Sequence, residues 1–113
     1  MSKSNLRKEK LQVIFDEGTK FVCKSFVAFF LCHNEKSFIS YIIASKKAGN
    51  AVKRNRAKRR LREIIRLDIE PNIKPGKIIF LARNETSKVD FSLFQRDCNN
   101  LIEYIKKRSA PKA

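Results

Sequence analysis

Between Lys46 and Arg66 the chain carries ten basic residues and one acidic residue, Glu63, yet its apolar residues in that stretch recur at helical spacing. On a wheel of about 100° per residue, Ala57, Leu61, Ile64 and Ile65 fall within a single arc. A helix from about Ala51 to Asp68 must therefore be anchored to a core along one arc while its cationic flank stays in water. Asn55, Lys58, Arg59, Arg62 and Arg66 share the adjacent arc, whereas Lys53, Arg56 and Arg60 point away from it. The i, i+4 series Arg54, Lys58, Arg62, Arg66 sets like charges over one another, at a cost of about 0.3 kcal/mol per pair. An anionic partner would remove that cost. Basic amphipathic helices also serve as membrane-surface or calmodulin-target segments, but those keep their apolar face free, and here that face is committed to the core. Arg prevails over Lys in the stripe, and guanidinium groups bind phosphate bidentately without losing charge. The breaker Lys46-Lys47-Ala48-Gly49-Asn50 precedes the helix, where backbone N–H groups and the positive end of the dipole add a phosphate site. Nucleic acid is the expected partner.

The rest of the composition agrees. At 113 residues the chain holds one domain, 1–113, and its 26 Lys and Arg against 11 Asp and Glu leave a net charge of +15. Hydrophobic residues at 42%, including nine Phe, supply a true core, so a disordered basic tail is excluded. No apolar run is long enough to span a membrane, and no apolar signal region follows the basic N-terminal residues. The expectation is a soluble cytoplasmic protein with no membrane association and no small-molecule substrate. Cys23, Cys32 and Cys98 lack CxxC spacing and His33 is the sole histidine, so neither a zinc module nor a nucleophilic site is expected. The cysteines read as small apolar side chains in a reducing compartment.

Along the chain, Leu11, Ile14 and Phe15 mark an amphipathic helix over Leu6 to Glu17, which Gly18 terminates. Thr19 to Leu31 reads as one strand, or as two broken at Lys24-Ser25. After a polar connector, His33 to Ser37, the aromatic and β-branched run Phe38 to Ala44 reads as its hairpin partner. Pro71, Pro75 and Gly76 close the basic helix, and Lys77 to Ala82 is short and apolar enough for a buried strand. Ser87-x-x-Asp90 resembles a capping box opening a last helix, with Phe91, Phe94, Cys98, Leu101, Ile102 and Ile105 on one face. A basic tail from about Lys106 is expected to fray. The order α-β-β(-β)-α-β-α describes a two-layer α+β sandwich, its helices on one sheet face and the other face partly open.

The segment from Ser45 through Arg54-Asn55-Arg56 to Glu63 resembles the signature of the protein subunit of bacterial ribonuclease P. Weaker similarity extends over Leu6-Arg7-Lys8, Val13-Ile14-Phe15 with Gly18, Phe26-Val27 and Lys77 to Arg83. The resemblance implies a fold similar to the second domain of ribosomal protein S5, with a left-handed βαβ crossover through the basic helix. It implies further that the chain is a subunit of an endoribonuclease in which an RNA performs Mg²⁺-dependent removal of the 5′ leader from precursor tRNA. The partners are then that catalytic RNA and the single-stranded leader. Catalysis and the Mg²⁺ requirement are expected in the RNA, with no catalytic residue and no metal bound by the protein. Carried over by position, Lys46, Lys47, Asn50, Arg54, Asn55, Arg56, Lys58, Arg59 and Arg62 are expected to contact RNA. Leu11, Phe15 and Phe29 are expected to contact the leader, Phe15 and Phe29 by stacking and Leu11 by apolar contact alone. Two other classes remain open: a stand-alone nucleic-acid-binding domain with helix 51 to 68 in a groove, and a protein-only nuclease, for which the scattered carboxylates offer no recognisable metal-binding spacing.

Overall fold

The computed structural model describes residues 11–32, 38–72 and 76–109. Residues 11–17 are helical (α1) and end where the Gly18 N–H donates to the Ile14 carbonyl at 2.8 Å. A Cβ at Gly18 would lie 2.3 Å from that carbonyl oxygen and 3.1 Å from the Phe30 oxygen, so only glycine lets the chain turn there. Four strands follow: β1 (Thr19–Val22), β2 (Phe26–Cys32), β3 (Phe38–Ile43) and β4 (Gly76–Ala82). Between β3 and β4 runs α2 (Ala51–Ile64), and α3 (Phe91–Ser109) closes the described chain. Two tight 3₁₀ turns, Lys46–Ala48 and Asn84–Ser87, lead into α2 and toward α3.

The sheet order is β1-β2-β4-β3, antiparallel except for the parallel β3–β4 pair. The interruption at Lys24-Ser25 is thus the turn of a β1–β2 hairpin. The expected hairpin between β2 and β3 does not form, because β4 inserts between them and pairs with both, Phe29 and Tyr41 each lying opposite Ile79. A continuously apolar strand such as β4 satisfies neighbours on two edges, which a chain-local pairing rule does not anticipate. The connector His33 to Ser37, the helix start before Leu11, and Pro75 lie outside the described residues.

Strand alternation divides the side chains. Phe26, Ala28, Phe30, Ile78 and Phe80 face α2 and α3 and form the main core with Ala57, Leu61, Ile64, Ile65, Phe94, Cys98, Leu101, Ile102 and Ile105. The arc read on the basic helix is therefore its buried face. On the opposite sheet face Ile79 is fully buried, as is Ile14 of α1, and the Phe15 and Phe29 rings meet edge to face at 4.8 Å. One helix, α1, therefore lies against the sheet face expected to be partly open.

Two helix ends differ from expectation. Winding continues beyond Asp68 through a π-type turn, Ile65–Ile69, and a final turn, Glu70–Asn72, that contains Pro71. There the Glu70 N–H reaches back to the Ile65 carbonyl, and the Asn72 side chain donates to the Asp68 carbonyl at 2.8 Å. At α3, Asp90 rather than Ser87 takes the cap position, its carbonyl accepting from Phe94 N–H at 3.0 Å, while Ser87 is buried at the end of the preceding turn. The helix runs through Ser109 and includes Lys106 and Lys107. No helix among the described residues is long and apolar enough to cross a membrane.

A buried polar tie joins the elements. The Asp97 carboxylate of α3 accepts from the Ser25 hydroxyl at 2.6 Å and from its N–H at 3.1 Å. The Thr86 hydroxyl donates to the Ser25 carbonyl and accepts from Arg83 N–H at 2.7 Å. The hairpin turn, the 3₁₀ turn and α3 are thereby locked together with each donor satisfied.

Candidate nucleic-acid interface

The entry to α2 is built by local capping. Ser45 Oγ accepts from Lys47 N–H at 3.3 Å, and Asn50 Oδ1 accepts from Lys53 N–H at 3.0 Å. Asn50 is thus the N-cap of α2, a role that an Asn directly before the first helical residue, Ala51, signals. Gly49 has φ of 113°, and a Cβ there would lie 2.8 Å from Lys53 Cδ, so glycine is required at this corner. The tight corner leaves Lys46 and Lys47 exposed beside the start of the helix.

Along α2 and the π-type turn that continues it, Asn55, Arg56, Arg59, Arg62 and Arg66 are exposed and Lys58 is half-buried. Asn55 to Arg66 spans about 16 Å at 1.5 Å per residue, so the cations form one continuous strip. Arg56, off the stripe on the wheel, still shares a shallow concavity with Val52, Asn55 and Arg59. Arg54 lies one turn before Ala57 on the core side, is half-buried, and holds a buried Nε that has no hydrogen-bonding partner. A buried donor left unpaired costs about 1 to 3 kcal/mol, which an incoming anion can recover. Arg60 is different. Its guanidinium donates to the Thr86 carbonyl at 2.9 Å and stands 5.3 Å from the Phe94 ring centroid, fixing α2 to the fold.

The open part of the sheet forms a second surface. Val27, Phe29 and Leu31 of β2, Lys77 and Leu81 of β4, and Ile39, Tyr41 and Ile43 of β3 project to the α1 side and are half-buried. Of the expected leader residues, Phe15 and Phe29 come together and Leu11 occupies the first described turn of the same helix, also half-buried. Lys20 Nζ lies 5.8 Å from the Phe29 centroid, bringing a cation to the aromatic pair. Lys20 and Tyr41 were not singled out in the sequence, since only the register shows that they share a face with Phe29. Beyond Phe29 this face opens into a concavity lined by Val27, Ile43, Leu81, Ser45, Lys47 and Arg83. The apolar sheet and the basic corner are therefore one continuous surface.

Among the described residues no group of three or more His, Cys, Asp or Glu side chains is gathered where it could hold a metal ion. Burial raises the Cys23 thiol to about 11 and the Cys98 thiol to about 12, leaving both protonated and poor nucleophiles.

The Ribonuclease P family model matches residues 2–106. The ribonuclease P protein component of an Exiguobacterium species is 34% identical over 103 residues, covering 91% of this chain and 86% of that protein. That of Clostridioides difficile is 33% identical, covering 80% of each. Among solved structures, the RNase P protein from Thermotoga maritima superposes with a TM-score of 0.74 at 29% identity, over 87% of this chain and 93% of the other. The Staphylococcus aureus RNase P protein gives 0.66 at 28% identity, over 90% of each. A family model that matches nearly the whole chain, together with solved structures that share its fold, makes this protein a member of the Ribonuclease P protein family.

Proposed function

We propose that this chain is the RNA-binding subunit of a ribonuclease P holoenzyme, in which it binds the catalytic RNA along α2 and the single-stranded 5′ leader of precursor tRNA along the open sheet face. The observation that carries the reading is the strip of exposed cations on a helix whose arc of Ala57, Leu61, Ile64 and Ile65 is buried in the core. Lys46, Lys47, Arg54, Asn55, Arg56, Lys58, Arg59 and Arg62 are the phosphate-binding groups. Asn50 acts chiefly by capping α2, with its side-chain amide at the rim of the same surface. The unpaired Nε of Arg54 supports its inclusion, because a phosphate oxygen would satisfy it.

The leader lies on Phe29 and Phe15, with Leu11 adding apolar contact. Base stacking is indifferent to sequence, since every base has a π-face, and is worth about 1 to 3 kcal/mol per base. Lys20 neutralises a nearby phosphate. The concavity from Phe29 to Lys47 leads the strand toward the basic helix, so substrate and catalytic RNA meet at one corner. Cleavage belongs to the RNA subunit, whose bound Mg²⁺ supplies the hydrolytic chemistry in the cytoplasm. The protein's own residues bind and orient the two RNAs.

With the chain bound to ribonuclease P RNA, a precursor tRNA bearing its leader should bind more tightly than mature tRNA. Phe29→Ala should weaken the precursor about tenfold and leave mature tRNA nearly unchanged, the loss expected for one stacked base. Equal weakening of both would return Phe29 to a purely structural role, and equal affinity of the unaltered complex for both tRNAs would remove the leader from this surface.

A further inference from the structure

The polar end of the concavity beyond Phe29 stands on a turn that the fold holds in place. Within Asn84–Ser87 the Thr86 hydroxyl donates to the Ser25 carbonyl and accepts from Arg83 N–H at 2.7 Å, while the Thr86 carbonyl accepts from Arg60 at 2.9 Å. The Glu85 carbonyl accepts from the Lys88 and Val89 N–H groups, both at 2.9 Å. The Asn84 and Glu85 side chains rise from this fixed backbone to line the concavity, yet neither makes a hydrogen bond among the described residues.

Among the described residues that line the concavity, Glu85 is the one acidic side chain. Its Oε2 lies 3.7 Å from Arg83 Nε, and the Arg83 guanidinium is itself held by the Cys23 carbonyl at 2.9 Å. The carboxylate is therefore oriented while its acceptor capacity stays unused. The floor beside it is apolar. Val27 and Ile43 each lie opposite Leu81 in one cross-strand row, and all three are half-buried. Such a floor takes the face of a base, and Lys47 on the same rim supplies a cation for the backbone phosphate.

A carboxylate repels phosphate and accepts hydrogen bonds only, so on an RNA surface it serves a base edge. Guanine alone presents two adjacent donors, N1–H and N2–H, on its Watson–Crick edge, which match the two oxygens of a carboxylate. Adenine and cytosine offer one amino group beside a ring acceptor, and uracil sets its one N–H between two carbonyls. We propose that this concavity is a guanine-selective subsite for one nucleotide of the 5′ leader, with the base on Val27, Leu81 and Ile43 and its Watson–Crick edge on the Glu85 carboxylate. The Asn84 amide is free to donate to guanine O6. The inference rests on the proposed reading of this face as the leader's surface.

The test is the affinity of precursor tRNAs for the complex of this chain with a bacterial ribonuclease P RNA. Each carries a uridine leader in which a single guanosine, adenosine or cytidine is moved one position at a time. At one position guanosine should bind about tenfold more tightly than the other bases, the discrimination expected of one bidentate base contact. Glu85→Gln should cut that preference below about twofold, because an amide replaces one of the two acceptors with a donor. A purely electrostatic effect of the lost charge would instead tighten every leader alike and keep the preference. The Arg83–Glu85 pair is 40% exposed on both sides and adds little stability, so the variant keeps its fold. No guanosine preference at any position, the same preference with the RNA alone, or a preference that survives Glu85→Gln would overturn the proposal and leave leader binding standing. Equal affinity for precursor and mature tRNA would overturn the leader reading and this proposal with it.

Discussion

Arg59 and Arg60 are neighbours in sequence with opposite work. Arg59 is exposed on the cationic strip, whereas Arg60 ties α2 to the Thr86 carbonyl and the Phe94 ring. Arg60→Ala should lower stability by about 2 kcal/mol, the scale of one charged hydrogen bond with a cation–π contact. Arg59→Ala should change stability by less than about 0.5 kcal/mol while reducing the slope of log affinity for ribonuclease P RNA against log salt by about one. Urea unfolding and salt-dependent binding read the two effects separately, and an unchanged slope would remove Arg59 from the phosphate contacts. The wheel already separated these two residues, because helical periodicity is a local property. The cysteines allow a pH prediction. Thiols held protonated at about 11 and 12, above the ordinary 9.0, favour the folded state below pH 9. Above that the unfolded chain loses its thiol protons first, so stability should fall as pH rises from 9 toward 12. Alkylation of Cys23 and Cys98 followed by mass spectrometry should be slow at pH 8 and become fast only on unfolding.

At the scale of elements, the fold is held by contacts distant in sequence. Asp97 of α3 reaches the Ser25 turn between β1 and β2, with both Ser25 donors on one carboxylate oxygen. Asp97→Ala should therefore cost about 2 to 3 kcal/mol by leaving two buried donors unpaired, as measured by denaturant unfolding. A change below 0.5 kcal/mol, about the level of a surface substitution, would contradict this role. The same distance explains what could be read beforehand. α2 and its buried arc were legible because a 3.6-residue period needs no knowledge of the partner. The pairing of β3 was not, since Phe38 to Ile43 presents the same apolar edge whether its neighbour is β2 or β4, and only the return of the chain after α2 decides it. The last helix is legible by its apolar face, but it starts later than the Ser87 spacing predicts, because Ser87 is buried as the last residue of a 3₁₀ turn whose Thr86 is held in the polar tie. The leader residues came from resemblance alone. Phe15 and Phe29 share a surface only because α1 folds onto the sheet face opposite α2, which neither segment encodes locally.

For the whole molecule, the central fact is a division of surfaces on one small sheet. The face toward α2 and α3 is core, the opposite face is half covered by α1, and the basic corner at Lys46 and Lys47 joins that open face to the cationic helix. On the proposed function, a protein of net charge +15 so arranged holds two RNA strands near one another while lowering the repulsion between them. Its contribution should then be largest where little Mg²⁺ is present to screen the phosphates. The most direct measurement is cleavage of a 5′-extended precursor tRNA by a bacterial ribonuclease P RNA at low Mg²⁺, with and without this chain. Strong stimulation of correct 5′ cleavage, with none by the protein alone, is the predicted result. Absence of stimulation by a folded, RNA-binding chain would contradict the account.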